Sequence, residues 1–435
     1  MQWPETIELT LGGIAQGGDA VGRWEGRVVF VAGGIPGERV RARLREARDS
    51  YARAVVEEVL DPSPDRVPPR VPGADNMPWQ HIAYAAQLRF RREILADQLA
   101  KIGGLPAAQV AETLPASPPW AYRNSARLHC DGRQVGYYAA ETRTIREVES
   151  DPLLLGTLDA ALGPLRQALA ELGGAMGRFE VTLRASETYG YLLAALHGPG
   201  AGGPEARRLA ARWRELHPPL AGVLIGDAGA DAGAEGGRSP RQIGQATLIE
   251  ELGGITFELH PTTFFQVNLA AAEALLGLVR AGLEVEAEDT RKASLLDLYC
   301  GAGTFALPLA GSVAEVVGVE EYGGAIADGR ASAELSQITN VRFIQGRAED
   351  VLPRLDGPFD YAVLDPPRRG CHPRALEQLI RLAPRRLVYV SCHPGTLARD
   401  LKILTAGGYR LLRCTPVDLF PQTAHVESVS VLSRA

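Results

Sequence analysis

The chain has 435 residues, room for two or three domains of ordinary size. Its 46% hydrophobic and 23% charged residues support full cores and exclude a wholly disordered chain. No apolar run reaches the roughly 18 residues of a membrane span, and the opening MQWPETIELT lacks the apolar segment of a signal peptide. Five cysteines without a CxxC pair argue against a zinc ribbon and a disulfide framework. A cytoplasmic, multidomain chain without membrane partners is expected. The net charge of −6 does not mark a nucleic-acid binder, so the local placement of charge matters more than the total.

Residues 5–60 read as short strands between glycine turns: IELTLGG, RVVFVAG, ERVRARLREA and YARAVVEEVL predict a small β-barrel within a first domain, 1–62. Val40, Ala42 and Leu44 alternate with Arg39, Arg41, Arg43 and Arg45. Period two sends the apolar set inward and the four guanidinium groups to one outer face. A solvated edge strand and an oligonucleotide-binding barrel share this pattern.

DPSPDRVPPRVPG then reads as a linker. The stretch 84–104 has helical periodicity, with Leu88, Ile94, Leu95, Leu99 and Ile102 near one face and Gly103 as a stop. It lies in a central α+β domain, 63–255, and is a candidate to pack on the catalytic domain. GDAGADAGAEGGRSPRQIG (226–244) reads as an unstructured surface loop.

In the last domain, 256–435, the apolar runs SLLDLY, EVVGVE, VRFIQG, YAVLD and RRLVYVSC alternate with helix-length segments. That alternation predicts a mostly parallel sheet with helices on both faces, an α/β Rossmann-like architecture. Its first strand carries Asp297 and runs into Gly301-Ala-Gly303, a turn that lets backbone approach a ligand at the carboxyl edge of the sheet. Glu320 closes the second strand 19 residues after Gly301, near the spacing at which an acid grips ribose hydroxyls. Phe305 and Ala306 stand where GxGxxG would continue, so S-adenosylmethionine fits better than a dinucleotide.

DLYCGAGTF, FFQVN (264–268), DPPRRG (365–370), VYVSCHPGTLARDL (388–401) and DLFPQTAHVESVSVL (418–432) together resemble the RNA uracil-C5 methyltransferases. VVFVAGGIPGERV is similar to that family's RNA-binding TRAM barrel, and YRNSARL (122–128) to a motif of its central domain. The resemblance implies S-adenosylmethionine as methyl donor and assigns roles by position. Gln266 would contact the methionine part, Gly301 would lie beneath the cofactor, Glu320 would hold the ribose, and Asp365 would sit beside cofactor and base. Cys392 matches the nucleophile and Glu427 the general base.

The chemistry suits these residue types. C5 of uracil attacks a sulfonium methyl poorly, and a thiolate added to C6 makes C5 electron-rich; cysteine is the side chain suited to that addition. Cys392 falls at the predicted carboxyl end of LVYVSC, the same sheet edge as the glycine turn. A carboxylate such as Glu427 can then remove the C5 proton. His393 and His425 flank these groups, but no third group orients a Cys–His pair.

Two departures from the family stand out. His393 replaces the usual asparagine after the cysteine. Many relatives bind an iron–sulfur cluster through four cysteines, whereas VPGADNMPWQHIAY (71–84) keeps Gln80-His81 without a cysteine, and Asp151 falls at the last ligand position; no cluster is expected.

Arg123 and Arg127 are further candidates for RNA backbone contacts, beside Arg39, Arg41, Arg43 and Arg45. The expected activity is methylation of a uridine in structured RNA by a monomer, with large-subunit ribosomal RNA as first substrate and transfer RNA as second. RNA cytosine-C5 methylation and a non-catalytic RNA-binding role are the competing readings.

Overall fold

The computed structural model describes residues 3–139, 142–226, 241–284 and 292–434. The chain forms two compact units: Met1–Pro119, Pro366–Leu376 and Tyr389–Ala435 make the first, and Trp120–Asp365 with Glu377–Val388 the second.

The first unit opens with a closed barrel of β1 (Thr6–Ile14), β2 (Ala20–Trp24), β3 (Arg27–Ala32), β4 (Arg39–Ala47) and β5 (Tyr51–Asp61), in the order β1-β2-β3-β5-β4. Ile7, Leu9, Leu11, Val29, Val31, Val40, Ala42, Ala52 and Ala54 fill its interior, as their alternation predicts. The Pro-rich stretch that follows is pinned rather than loose. The buried Glu38 carboxylate accepts the N–H groups of Ile35 and Ser63 and pairs with Arg66.

Helix α1 (Tyr84–Lys101) comes next. Its buried residues are Ala86, Gln87, Phe90, Arg91, Ile94, Leu95 and Leu99. The apolar face read from sequence needs correction: Ile102 is 42% exposed and Leu88 only partly buried, because Gln87 and Arg91 occupy the inward face with polar partners of their own.

The second unit begins with β6 (Ser125–Cys130), β7 (Val135–Tyr138), β8 (Ile145–Glu147), α2 (Gly156–Glu171), β9 (Phe179–Ala185), β10 (Leu192–His197), α3 (Pro204–Leu216), β11 (Leu220–Ile225) and β12 (Arg241–Gly244). These strands make one sheet, β12-β11-β10-β9-β6-β7-β8, packed on α2 and α3 through Leu158, Leu162, Leu165, Leu209 and Trp213. β12 corrects the reading of 226–244 as wholly unstructured, since its residues pair with Gly222–Ile225 of β11. Residues 227–240 of that stretch lie outside the described residues.

The hairpin β13 (Leu248–Leu252) and β14 (Ile255–Leu259) leads to α4 (Leu269–Leu283). The α/β layer follows with β15 (Ser294–Leu298), α5 (Ala306–Ala310), β16 (Glu315–Glu320), α6 (Gly323–Leu335), β17 (Val341–Gln345), α7 (Ala348–Val351), β18 (Tyr361–Leu364), α8 (Pro373–Leu382) and β19 (Arg386–Ser391). In the second unit, β17, β16, β15, β18 and the start of β19 are neighbours in that order. β15 runs parallel to β16 and β18, with Asp297 opposite Gly318 and Val363. Their buried Leu, Val and Ala runs suit strands covered on both faces.

In the first unit, the end of β19 is followed by α9 (Pro394–Ala406), β20 (Tyr409–Val417) and β21 (Glu427–Arg434). β20 and β21 are antiparallel, with Val417 opposite Glu427. The sequence expectation of an α/β layer of mostly parallel strands, an N-terminal barrel and a central α+β sheet is met.

Candidate active site

Three carboxylates meet at the carboxyl edge of the parallel strands of the second unit: Asp297 in β15, Glu320 ending β16 and Asp365 following β18. Burial, then repulsion from Asp365, pushes the Asp297 carboxyl well above the ordinary range. Burial and the Glu320 charge push Asp365 up to about 7. Glu320 is clasped by backbone, its Oε2 accepting Gly301 N–H at 3.1 Å and its Oε1 Tyr322 N–H at 2.8 Å. Closely spaced anions of this kind suit a cationic ligand.

The two glycines of the turn differ. At Gly301 (φ +54°) a Cβ would meet nothing within 4 Å, so the backbone faces open space. At Gly303 a Cβ would come within 2.9 Å of Leu307 Cγ and 3.1 Å of a Phe343 ring carbon, which makes it a packing glycine. The open cradle at Gly301, with a backbone-clasped acid beside it, fits an adenosine ribose. Glu320 has lone pairs left for ribose hydroxyls, since each oxygen accepts one bond here.

Gln266 is buried in a loop held from several sides. Fully buried Arg184 donates to Pro261 O and Thr263 O. Asn124 donates its side-chain amide to Gln266 O (3.0 Å) and its backbone N–H to Val267 O (2.9 Å). His260 contacts Asp328 through both its backbone N–H (2.9 Å) and its ring (2.6 Å). Two residues before Gln266, Phe264 is 66% exposed.

In the first unit, Cys392 follows β19 and immediately precedes His393, the N-cap of α9. Helix N-termini favour negative charge. Of the five cysteines, all described, four are buried and Cys392 is partly exposed. Burial pushes the Cys130 thiol up to about 11 and the Cys414 thiol to about 12, leaving both unreactive near neutrality. α9 also holds the 366–371 loop: Thr396 Oγ1 donates to Arg368 O, Arg399 to Arg369 O, and Asp400 accepts Cys371 N–H at 2.8 Å. Glu427 begins β21 and is 4% exposed.

The family description tRNA (Uracil-5-)-methyltransferase matches residues 251–435, and the TRAM domain matches 5–56. An uncharacterized RNA methyltransferase of Thermosynechococcus vestitus is 38% identical over 99% of this chain and 98% of its own length. Another, of Geobacter sulfurreducens, is 34% identical over 99% of this chain and 90% of its own. The chain belongs to the RNA uracil-C5 methyltransferase family. Its members take the methyl group from S-adenosylmethionine and act on RNA. The crystal structure of Pyrococcus abyssi tRNA (uracil-54, C5)-methyltransferase in complex with S-adenosyl-L-homocysteine shares the fold, with a TM-score of 0.75, 24% identity and coverage of 98% of this chain and 99% of that one.

The methyltransferase's six arginines noted from sequence are differently placed. Arg39 and Arg41 point outward from β4 but are paired with Glu8, and Arg41 also with Glu58. Arg43 and Arg45 are exposed on the same strand. Arg127 is 66% exposed and 3.9 Å from Glu180, whereas Arg123 is partly buried and its backbone pairs with 153–155. Asp151 accepts from Tyr137 OH (2.9 Å) and Leu153 N–H (3.0 Å), structuring the turn before α2. The cysteine-free 71–80 stretch is cross-linked by Gln80, whose amide accepts from Val71 N–H at 2.8 Å and donates to Val71 O at 2.6 Å. Among the described residues no group of three or more His, Cys, Asp or Glu is placed to hold a metal ion, and no helix is long and apolar enough to cross a membrane.

Sequence reading missed that Asn124 anchors the Gln266 loop and that Phe264 stands exposed beside it. Both lie inside motifs it singled out, YRNSARL and FFQVN, and an asparagine or phenylalanine acquires such a role only through what surrounds it.

Proposed function

We propose that this methyltransferase modifies C5 of a uridine in structured RNA through a covalent adduct of Cys392. The observation that carries the reading is Cys392 itself, the partly exposed thiol among four buried ones, directly before the N-cap of α9. S-Adenosylmethionine supplies an electrophilic methyl group.

The ionised Sγ of Cys392 adds to C6 of uracil, forming an S–C6 bond and shifting the C5=C6 electron pair toward C5 and O4. C5 then takes the methyl group as the S–CH3 bond breaks and leaves its electron pair on the departing thioether sulfur, and Glu427 removes the proton that C5 still carries. The electron pair of that C–H bond restores C5=C6 and expels the thiolate. General-base help of this kind is worth about 10²–10⁴ in rate. Gln266 would hold the methionine part of the donor, Glu320 the ribose, and Asp297 and Asp365 would line the donor site, with Gly301 and Gly303 shaping the turn. Exposed Phe264 offers a stacking face for a base.

In this reading residues 1–62 contact RNA, with Arg39, Arg41, Arg43 and Arg45 as candidates and Arg123 and Arg127 in the central segment 63–255. Residues 256–435 carry the chemistry, and the enzyme acts as a cytoplasmic monomer. Large-subunit ribosomal RNA is the proposed substrate. Transfer RNA is the second reading, favoured by the family description that matches 251–435.

The test is nucleoside analysis of unmodified ribosomal and transfer RNA after incubation with the protein and methyl-labelled S-adenosylmethionine. Label in 5-methyluridine of ribosomal RNA is expected, and none with Cys392→Ala although RNA binding persists. Label confined to transfer RNA would move the substrate to the second reading. Label in 5-methylcytidine, or turnover by Cys392→Ala, would overturn the base or the mechanism.

A further inference from the structure

The loop 418–426 joins β20 to β21 and delivers the chain to Glu427, the first residue of β21. Its own turns are slight: Thr423 Oγ1 donates to Phe420 O and accepts His425 N–H, and Gln422 takes a φ of +67°. Most of what grips it comes from α1 and the segment before it, more than 320 residues earlier in the chain.

Arg91 is fully buried, with its guanidinium over the Trp79 ring. It pairs with Asp418 at 2.9 Å and donates to three carbonyl oxygens: Phe420 (3.0 Å), Thr423 (2.8 Å) and His425 (3.2 Å). One turn earlier, Gln87 exchanges two bonds with Gln422, accepting its N–H at 3.0 Å and donating to its Oε1 at 2.9 Å. Trp79 N–H donates to Gln422 O at 3.0 Å. Asp418 alone would satisfy the charge of a buried arginine. The three additional bonds all fall between Asp418 and Glu427: Nη2 serves Phe420 O and Thr423 O and Nε serves His425 O, two nitrogens of one planar group that a single ammonium cannot copy.

We propose that Arg91, supported by Gln87, is a positioning residue for the Glu427 carboxylate: by holding three carbonyls of the approach loop it sets where the base stands when the C5 proton is removed. The proposal rests on the reading of Glu427 as general base. It places Arg91 late in the reaction. Attack by Cys392 and methyl transfer precede any need for Glu427, so a displaced loop slows only the release of the methylated adduct.

The experiment follows single turnovers with methyl-labelled S-adenosylmethionine and RNA, measuring label entering RNA and loss of the covalent protein–RNA species. The variants are Arg91→Lys, which keeps the charge beside Asp418, and Gln87→Met, which leaves Arg91 intact and covers a failure of the first to fold. Both should transfer methyl at near the wild-type rate and accumulate methylated adduct, released about 10²-fold more slowly, the cost of a misplacement of about 1 Å. Combined with Glu427→Gln, either should release no more slowly than Glu427→Gln alone, since no base remains to be misplaced. If Glu427→Gln slows release but both other variants release at the wild-type rate, or slow methyl transfer and release alike, Arg91 is merely structural and the proposal falls. Fast release by Glu427→Gln itself would remove Glu427 as the base, a different failure that takes the proposal with it.

Discussion

His393 and Gln16 touch: the ring Nε2 lies 2.6 Å from the glutamine amide, although 377 residues separate them in sequence. The other ring nitrogen, Nδ1, accepts Thr396 N–H at 3.2 Å as the N-cap of α9. Nδ1 serves the cap, while Nε2 meets the side-chain amide nitrogen of Gln16. The histidine thus does the capping work of an asparagine and adds a tether from the residue beside Cys392 to the β1–β2 turn of the barrel. The same turn carries Gly18, where a Cβ would stand 2.4 Å from Ala424 Cβ and 2.7 Å from Trp79 Nε1.

His393→Asn should keep the cap and lose the tether, while His393→Ala should lose both. Denaturant unfolding is expected to place the alanine variant about 1 kcal/mol below the asparagine variant. Burial, then the charges of Arg368 and Arg399, hold the His393 pKa below its ordinary value. The unfolded chain therefore takes up the proton first, and this contribution to stability is complete above about pH 6.5 and is lost as pH falls through the depressed value. Wild type should lose stability more steeply than His393→Asn on that descent; equal slopes would show that His393 is not held neutral.

Asp365 runs the other way. With its folded pKa raised to about 7, its contribution is present at pH 4 and lost as pH rises through 7. Asp365→Asn should match wild type at low pH and exceed it at pH 8 in the ligand-free protein, by on the order of 1 kcal/mol for a partly open side chain. The same variant should bind S-adenosylmethionine about tenfold or more weakly, the loss of a charge-assisted contact. Calorimetry that found unchanged affinity would remove Asp365 from the cofactor site.

Glu8 holds both Arg39 and Arg41 on the outer face of the barrel. If that face meets phosphates, Glu8→Gln should free a guanidinium for RNA, tightening binding and steepening the dependence of log affinity on log salt by about 0.7–0.9. A salt titration with unchanged slope would place RNA elsewhere on the molecule.

The cysteine-free 71–80 stretch depends on Gln80. Gln80→Ala removes both bonds to Val71 and should lower stability by about 1–3 kcal/mol. Iron chelation under reducing conditions should leave the melting temperature of the wild type unchanged. A chelator-induced drop would contradict the expectation that no cluster is bound.

What was legible in sequence was local. Period-two alternation placed Val40 and Ala42 inside the barrel, the strand–GxG–strand–acid spacing put Gly301 beside Glu320, and VYVSC put Cys392 at a strand end, because backbone geometry repeats over a few residues. The same logic misjudged α1: its apolar periodicity includes Ile102, which is exposed, and leaves out Gln87 and Arg91, which are buried. A polar side chain goes inward only when distant groups satisfy it, and the groups that do so here, Asp418 and the carbonyls of 420–425, lie more than 320 residues away. Asn124 under Gln266, and Gln16 against His393, belong to the same class. Motif and spacing determined the chemistry this chain carries; the hydrogen bonds of buried polar groups, which exist only once the chain has closed on itself, decided how each reacting side chain is held.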